Sequence, residues 1–545
     1  MTSRYKFLNY TYLLILSLMI TSCEKDSFTD PNDPRFGTVG DEIILNVSNT
    51  FQTVDHFGAS GGFAAQWVGQ WPDASKEPIA KLFFSTEMDA QGNPEGIGLS
   101  MWRVNIGDGA REQLTSGFAP NAWFRETECF LDEDGITYDW TKQSGSQWFV
   151  SKASEYGVPG FTAWITTPPY FMSKNGYTFR TAGVDGFNCQ ESKYGEYASF
   201  LAQVMKHYED QGYNFEVVCP FNETQYEWAF EVGEASQSGT KAFNSQVAEV
   251  TRIIDQEFTD QGVNAKIMIP ETAQLRYLYE GSSNTENQLS EFFNPSSANY
   301  IGDLDNLSTH IAAHSYFSNS TPEQSITQRQ TLRTALASFP DLDYWQTEYS
   351  LLGTAYQQGK DMSELTEMDY SLWLARIIHT DLVHGNATGW SFWTALNLST
   401  FQDHPFRFNL ILYEPNASNE SHTDGTFKVG KNLWAFGNYS RFVRPGMVRF
   451  EVLDPAYGEE AAVENFMISG YKSASGNDIV IVCVNNTDQN RQLALGNYGT
   501  DFEVVDGTFD VYTTSESEDL SKSTANFDEL VIPGKSIVTL TAQLN

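Results

Sequence analysis

The fold is best approached from the stretch Val217-Val218-Cys219-Pro220-Phe221-Asn222-Glu223. Its apolar run ends abruptly in an amide and a carboxylate, which is typical of a β-strand with a functional side chain at its C-terminal end. A second run of this kind ends at Glu348, 125 residues further along. Hydrolysis of a glycosidic bond requires two carboxylates, one to protonate the leaving oxygen and one to attack the sugar or activate water. Glu223 and Glu348 are therefore candidate catalytic residues; the alternative is that each only closes a strand.

Strand-like runs alternate with helical ones from about residue 57 to about residue 395. In the clearest helical run, apolar residues recur at helical spacing from Tyr197 to Tyr208, before Gly212. The expected strands lie around Phe57 and at Gly98–Val104, Gly160–Ile165, Phe215–Pro220, Ala265–Pro270, His310–Tyr316, Tyr344–Glu348 and Ala387–Trp393. Eight strands alternating with helices predict an α/β fold, a (β/α)8 barrel with its active site at the C-terminal strand ends. An open doubly wound sheet is the alternative, but no Gly-rich phosphate loop follows any strand.

The pattern changes after Tyr439, where short apolar runs are separated by Gly, Asn, Asp and Ser and helical spacing is lost. We expect residues 57–439 to form the catalytic barrel and residues 440–545 to form an all-β sandwich beside it. The strands within residues 41–56 are expected to join the β domain, since the two ends of a chain often lie near one another.

The charge of the chain limits its partners. It has 33 basic and 70 acidic residues among 545, a net charge of −37. Nucleic acids and polyanionic substrates would be repelled, so neither is an expected partner. The aromatic fraction of 14% suits a surface that stacks on sugar rings. We expect a poly- or oligosaccharide substrate and a monomeric protein.

The N-terminal residues 1–22 are typical of a signal peptide, because a basic start is followed by a short apolar run. Ile20-Thr21-Ser22-Cys23 resembles a bacterial lipoprotein cleavage box, in which Cys23 is lipidated. Glu24-Lys25-Asp26 resembles the surface-export signal of lipoproteins in the Bacteroidetes group. Residues 23–40 then predict a flexible tether, and the acyl chain is the expected membrane attachment at the surface of the outer membrane. The alternative is a plain secretory signal.

The remaining cysteines are Cys129, Cys189, Cys219 and Cys483, and none belongs to a CxxC motif. A metal or redox site built on them is therefore not expected, and no cofactor is predicted. Export permits a disulfide, and the pair that we consider is Cys129 with Cys189.

Six short motifs follow one another through the barrel and into the β domain. They are Phe57-Gly58-Ala59-Ser60-Gly61-Gly62, Gly98 to Gly107, Pro220 to Glu223, His314-Ser315-Tyr316, Gln346-Thr347-Glu348 and Tyr439 to Gly446. In this order they resemble glycoside hydrolase family 30, which belongs to a clan of retaining barrel enzymes and has a β side domain. One departure is Thr224, because the family usually has proline after Asn-Glu.

The resemblance implies that Glu348 is the nucleophile, on strand seven, and that Glu223 is the general acid/base, on strand four. Two such carboxyls must differ in pKa, one protonated near neutrality and the other ionised. Arg103 on strand two is expected to hold Glu348 ionised, and Tyr316 to donate a hydrogen bond to the same carboxylate. Asn222 is expected to bind the sugar 2-hydroxyl.

Trp164 and Trp393 end strands three and eight, where they are expected to form a ring-stacking floor; the alternative is that both are core aromatics. His310 and His314 are four residues apart, but no nearby Glu or Cys completes a metal set, so no metal is predicted. We expect His314 to make hydrogen bonds in the site and His310 to be structural.

The segment from Gly98 to Gly109 resembles most closely the endo-β-1,6-galactanase branch of the family, which acts on arabinogalactan side chains. The β-1,6-glucanase and glucosylceramidase branches share much of the segment and remain alternatives. A different class of protein, a surface glycan-binding lipoprotein without catalysis, is a third alternative. The presence of both glutamates, Asn222 and Arg103 counts against it.

Overall fold

The structure, a computed structural model, describes residues 42–113, 117–416, 422–497, 504–526 and 530–544. The predicted signal peptide, the tether and the lipidation residue Cys23 lie outside these residues. Within the described part, the chain forms a curled parallel β-sheet surrounded by helices and a second, mostly antiparallel sheet. Here no helix combines the length and the apolar character needed to cross a membrane.

The barrel is built from parallel strands joined in one continuous ring. The first strand of the chain, β1 (Glu42–Thr53), lies outside the ring, and the barrel strands are β2 (His56–Ser60), β3 (Met101–Asn105), β4 (Gly160–Trp164), β5 (Phe215–Cys219), β6 (Lys266–Ile267), β7 (Glu271–Thr272), β8 (His310–His314), β9 (Asp343–Glu348) and β10 (Gly389–Phe392). Their order is β6-β5-β4-β3-β2-β10-β9-β8-β7. The two ends of this order, β6 and β7, are halves of the predicted fifth strand; β6 pairs with β5, and β7 pairs with β8. The predicted eight-stranded barrel is confirmed, with its fifth strand interrupted.

Helices cover the outside of the ring and also connect it to the second sheet. They are α1 (Ala65–Val68), α2 (Asp73–Phe84), α3 (Ser144–Glu155), α4 (Tyr194–Asp210), α5 (Asn244–Gln261), α6 (Arg276–Tyr279), α7 (Gln288–Phe293), α8 (Pro322–Leu336), α9 (Glu367–Val383), α10 (Lys431–Ser440) and α11 (Glu459–Asn465). The helical spacing predicted from the sequence is confirmed in α4, whose periodic apolar residues are all buried. Helix α5 ends at Gly262, whose φ of 64° lets it cap the last turn in the left-handed conformation.

The remaining strands form two sheets. They are β11 (Leu396–Leu398), β12 (Ile411–Pro415), β13 (Gly425–Val429), β14 (Val448–Leu453), β15 (Phe466–Lys472), β16 (Asp478–Asn485), β17 (Arg491–Asn497), β18 (Thr508–Thr514), β19 (Ser521–Asn526), β20 (Leu530–Ile532) and β21 (Ser536–Gln543). Strands β11 to β13 make a small sheet, and the others join β1 in the order β19-β18-β21-β16-β15-β14-β1-β17-β20. Strand β1 is antiparallel to β14 and parallel to β17.

Both faces of the larger sheet are buried, as β16 shows. Ile479, Ile481 and Cys483 face a core enclosed by the β domain itself, while the alternating residues Val480 and Val482 belong to the barrel core. A strand that is buried on both faces reads as a continuous apolar run. The β domain is therefore packed firmly against the barrel through α9 and α10, and the predicted boundary at residues 439 and 440 lies within α10.

The disulfide considered between Cys129 and Cys189 is absent. Both residues are buried as free thiols, as are Cys219 and Cys483. Burial raises the pKa of the Cys189 thiol to about 12, so this sulfur stays protonated and unreactive at neutral pH. Burial raises the pKa of Cys129 as well. These side chains therefore act as small apolar residues of the core.

Candidate active site

The two candidate carboxylates meet at the C-terminal end of the barrel. Glu348 is the last residue of β9, and Glu223 follows the end of β5 by four residues. The backbone N–H of Glu223 donates to the carbonyl of Glu271 at 3.1 Å, so the chain after β5 is fixed to the neighbouring strand. Both carboxylates are almost buried, with exposed fractions of 5% for Glu223 and 6% for Glu348.

His314 lies between the two carboxylates. It is the last residue of β8 and pairs in register with Glu348. Its Nδ1 atom lies 2.7 Å from Oε1 of Glu223 and 3.8 Å from Oε1 of Glu348. One carboxylate oxygen of each glutamate and a ring nitrogen of His314 all lie within 4.8 Å of one another. The two carboxyl groups therefore approach each other closely enough to act on one bond.

Arg103, on β3, holds Glu348 from the other side. Its Nη1 donates to Oε2 of Glu348 at 3.0 Å, and its Nη2 donates to Oε1 of Glu271 at 2.8 Å and to Oδ1 of Asn222 at 3.4 Å. The hydroxyl of Tyr316 donates to Oε1 of Glu348 at 3.3 Å. Each carboxylate oxygen of Glu348 thus accepts a hydrogen bond from a side chain elsewhere in the barrel.

Glu271 is a site residue that the sequence analysis missed. It begins β7, is completely buried, and also lies 3.5 Å from Nε2 of His314. A signal was present, since Ile267-Met268-Ile269-Pro270 is an apolar run that ends in a glutamate, as the run before Glu223 does. Glu271 therefore connects Arg103 and His314, the two cations that contact the candidate catalytic pair.

Burial and charge together set the ionisation of this cluster. Burial would raise the pKa of Glu271, but the charge of Arg103 and the hydrogen bond from His314 lower it to about 2. Burial would lower the pKa of His314, but Glu348 and the hydrogen bonds to Glu223 and Glu271 raise it to about 10. His314 is therefore an imidazolium at neutral pH and donates from both ring nitrogens.

The pKa of Glu348 is set by opposing effects of burial and charge. Burial raises its pKa above the usual 4.5, and Glu223 and Glu271 add to this effect. His314 and Arg103 act in the opposite direction. Arg103 is thus the expected ion-pair partner, but it only limits a rise that burial causes.

A cleft of about 650 Å³ opens above the two carboxylates, larger than one sugar ring needs. Four of the residues expected to contact a substrate line it: Trp164, Asn222, Tyr316 and Trp393. Trp393 is half-buried, so part of its ring is available for stacking. The cleft is rich in aromatic residues and neutral apart from its carboxylates and Arg125, which suits the binding of uncharged sugars.

Three predicted contact residues lie deeper than expected. Arg103 and Trp164 are each only 1% exposed, and His314 is fully buried. The guanidinium of Arg103 lies 4.3 Å from the centroid of the Trp164 ring, and this ring meets Trp393 edge to face at 5.2 Å. Arg103 and His314 support the carboxylates from below, while Trp164 and the more exposed Trp393 both line the cleft.

Thr224, the departure from the family pattern, is accommodated by hydrogen bonds that proline would not make. Its hydroxyl accepts from Nε2 of Gln288 and from Nε2 of Gln225, each at 3.3 Å. The residue is buried. The loop after β5 is therefore held by polar contacts at the position where the family usually has a rigid ring.

A comparison of the sequence with known families matches residues 40–405 to O-glycosyl hydrolase family 30. The chain belongs to this family. It is therefore a glycoside hydrolase. The matched residues include every barrel strand and both candidate catalytic glutamates.

Individual relatives support the same assignment. An exo-β-1,6-galactobiohydrolase of Bifidobacterium longum is 21% identical over 199 residues, which cover 31% of this chain but only 13% of that protein. A glucuronoxylanase of Bacillus subtilis is 22% identical over 463 residues, covering 84% of this chain and 81% of that protein. The crystal structure of a conserved exported protein from Bacteroides fragilis is 30% identical, with a TM-score of 0.83 over 92% of this chain and 100% of that chain.

Proposed function

We propose that the protein is a retaining β-glycosidase that cleaves β-1,6-linked galactan by double displacement. The observation that carries the mechanism is that one carboxylate oxygen of Glu223 lies within 4.8 Å of one carboxylate oxygen of Glu348. Retaining enzymes hold their carboxyl groups about 5 to 5.5 Å apart, whereas inverting enzymes need about 6.5 to 9.5 Å to admit a water. The short spacing supports direct attack by a carboxylate.

In the first step an ionised oxygen of Glu348 attacks the anomeric carbon, and the bond from that carbon to the glycosidic oxygen breaks. Glu223 gives its proton to the departing oxygen, which leaves as an alcohol. In the second step Glu223 takes a proton from water, whose oxygen attacks the anomeric carbon and releases Glu348. Asn222 and Tyr316 line the cleft beside the reacting centre and supply polar contacts to the sugar and the nucleophile.

The proposed substrate rests on two resemblances. The segment from Gly98 to Gly109 resembles that of endo-β-1,6-galactanases, and one relative is named an exo-β-1,6-galactobiohydrolase. In the structure this segment contributes Arg103 to the carboxylate cluster. It therefore belongs to the part of the chain that contacts the reaction centre.

A second candidate substrate is a glycan that carries uronic acid, and Arg125 is the observation that favours it. Arg125 is the only cation among the described residues that line the cleft. Its Nη1 donates to neutral partners, Oε1 of Gln237 at 2.6 Å and the carbonyl of Ser236 at 3.3 Å. A guanidinium binds a carboxylate well, and one relative is named a glucuronoxylanase. The overall negative charge of the chain opposes a polyanion but permits an isolated uronate.

Product profiling on a panel of defined glycans tests the substrate. The panel contains β-1,6-galactan, β-1,6-glucan, glucosylceramide and glucuronoxylan, and Arg125→Met serves as the matched variant. Release of galactose oligosaccharides from the first glycan, unchanged in Arg125→Met, supports the principal proposal. Cleavage of glucuronoxylan alone, lost in Arg125→Met, would replace it with the second candidate. The size of the first products distinguishes internal cleavage from cleavage at chain ends.

We also propose that the enzyme works as a monomer at the surface of the outer membrane, attached through acylated Cys23. Support comes from the lipoprotein-like box Ile20-Thr21-Ser22-Cys23 and from the acidic Glu24-Lys25-Asp26 that follows it. Attachment by a flexible tether of residues 23–40 would leave the cleft free to meet an extracellular polysaccharide.

A further inference from the structure

The loop after β5 carries two aromatic side chains beside the proposed acid/base. Tyr226 and Trp228 follow Glu223 by three and five residues, and both line the cleft. The indole N–H of Trp228 donates to the backbone carbonyl of Glu223 at 3.2 Å. The two rings meet edge to face, with centroids 5.7 Å apart and an angle of 81° between planes. An aromatic pair is thus fixed next to this carboxylate, and it remains half-buried.

The backbone that holds this pair is unusual. Trp228 has a φ of 47° and Glu223 a φ of 51°, a conformation that bulky side chains rarely adopt. Gly239 leaves room for the side chain of Trp228, because a Cβ at position 239 would lie 2.5 Å from Cγ of Trp228. The carbonyl of Trp228 accepts from the N–H of Arg180 at 2.9 Å, and the carbonyl of Arg180 accepts from the N–H of Phe230 at 2.9 Å. Strain that the surroundings hold in this way is typical of functional sites.

The position of the pair identifies the part of the substrate that it would meet. A general acid lies on the leaving-group side of the bond, because it protonates the departing oxygen. Trp228 donates a hydrogen bond to the backbone carbonyl of Glu223. Tyr316 instead donates to the carboxylate of Glu348, on the attacking side. A pyranose ring has an apolar face of C–H groups that packs on aromatic rings. The steps proposed above use neither Tyr226 nor Trp228.

We propose that Tyr226 and Trp228 form a subsite that binds a pyranose ring on the leaving-group side of the scissile bond. After the first step the same subsite would bind an acceptor sugar. The hydroxyl of Tyr226 accepts from Nε2 of Gln274 at 3.1 Å, which orients its ring against that of Trp228. This inference rests on the proposed roles of Glu223 and Glu348 and adds the class of leaving group: a sugar, in preference to a small alcohol.

The test compares two substrates of the same glycosyl group, whichever sugar the wild type accepts from the panel. One is an oligosaccharide, whose leaving group is a sugar, and the other is the β-glycosyl fluoride, whose leaving group has no ring to stack. For Trp228→Ala we expect kcat/KM on the oligosaccharide to fall about tenfold, the loss that one good ring contact implies. For the same variant we expect kcat/KM on the fluoride to change by less than about twofold. Trp148→Ala, a half-buried tryptophan of α3 outside the cleft, should change neither rate.

Two further variants separate stacking from support of the acid. Trp228→Phe keeps a ring but loses the hydrogen bond to Glu223, so it should retain most of the oligosaccharide rate. Gly239→Ala keeps both rings but should displace that of Trp228, and so resemble Trp228→Ala. A loss in Trp228→Phe as large as that in Trp228→Ala would show that Trp228 acts only through its hydrogen bond to Glu223, and would overturn the subsite; equal losses on the two substrates would also overturn it, because the fluoride has no ring to stack. Unchanged rates in Trp228→Ala would overturn it as well.

Binding provides a readout that does not need turnover. Calorimetry of the oligosaccharide with Glu348→Gln and with the double variant Glu348→Gln/Trp228→Ala should show affinity about tenfold weaker in the second. Equal affinities would contradict the subsite. If the wild type hydrolyses none of the panel glycans, the proposed function is contradicted instead; calorimetry is then made with an oligosaccharide of each panel glycan, and the absence of any difference between the two variants overturns the subsite.

Discussion

Arg103 and Glu271 form an ion pair in which Nη2 of the guanidinium lies 2.8 Å from Oε1 of the carboxylate, and neither side chain is more than 1% exposed. Nη1 of the same guanidinium lies 3.0 Å from Oε2 of Glu348. Because a guanidinium is planar and presents its donors in a rigid fork, the direction fixed by Glu271 also fixes the approach to Glu348. The proposed nucleophile is thus positioned by a carboxylate that does not line the cleft.

Replacement of the two catalytic candidates should give different phenotypes. Glu348→Gln is expected to abolish turnover while glycan binding persists, since the amide has nearly the same shape but cannot attack. Glu223→Ala should still form the glycosyl-enzyme from an activated aryl glycoside, because such a leaving group needs little help from an acid. Stopped-flow bursts and mass spectrometry of the trapped enzyme measure this step.

Added azide provides the control for these two roles. It should restore product release in Glu223→Ala, because a small anion can attack the glycosyl-enzyme without a general base. Substantial activity in Glu348→Gln, or failure of azide to accelerate either variant, would mean that the roles are wrongly assigned.

The sequence was sufficient to predict the barrel and the two glutamates but not the support beneath them. Parallel strands gather their C-terminal ends at one face, so Glu223 and Glu348 could be placed together from spacing alone. Glu271 was missed although its strand was predicted, because that strand was ended at Pro270, one residue before the glutamate. The depth at which Trp164 lies in the cleft, only 1% exposed, could not be predicted, since a residue at a strand end can point inward or outward with the same pattern. Trp228 lies on a loop, where no periodicity marks a functional side chain.

The raised pKa of Glu348 predicts the acidic limb of the pH–rate profile. Glu348 must be ionised to attack, so activity should fall as the pH drops through its pKa, which burial holds above 4.5. Arg103→Gln removes a positive charge that lowers this pKa, so the limb should move to higher pH. The measurement is kcat/KM between pH 3 and pH 8, with circular dichroism to confirm folding.

Arg111→Gln is the matched control for that shift. Arg111 is a surface residue that pairs with Glu128 at 3.2 Å, so its loss should leave the limb in place. A limb that stays fixed or moves to lower pH in Arg103→Gln would contradict the role of Arg103.

The lowered pKa of Glu271 predicts that the free energy of unfolding decreases at acidic pH. Its folded-state pKa of about 2 is below the usual 4.5, so the carboxylate contributes stability above pH 4.5 that is lost as the pH falls toward 2. The shift corresponds to about 3 kcal/mol of unfolding free energy. Glu271→Gln should therefore be less stable than wild type at pH 7, and the difference should shrink steadily on acidification.

Urea midpoints at pH 7, 5 and 3 measure this difference. The control is Glu280→Gln, which removes an exposed carboxylate and should follow the wild type at each pH. A deficit for Glu271→Gln that is the same at all three pH values would show that the residue contributes by packing rather than by charge.

Anchoring by Cys23 can be tested by fractionation. Cys23→Ala should release the protein from the outer membrane or block its maturation, since the acyl chain is the membrane attachment that the sequence predicts. Ser27→Ala, four residues beyond the cleavage box, should remain with the membrane. If the Cys23→Ala protein still sediments with membranes after washing without detergent, the lipoprotein assignment is wrong.

The stereochemistry of hydrolysis tests the carboxylate pair most directly. With one carboxylate oxygen of Glu223 within 4.8 Å of one oxygen of Glu348, the pair is too close to admit a water between carboxylate and sugar. Glu348 must then attack directly, and water later enters from the face that the leaving group vacated. Two inversions give net retention, so a β-linked substrate should first release a β-anomer. Proton NMR of the anomeric region in the first minutes of reaction measures this before mutarotation mixes the signals. An initial α-anomer would falsify the nucleophile assignment, because inversion requires a water-sized gap that these two side chains do not leave.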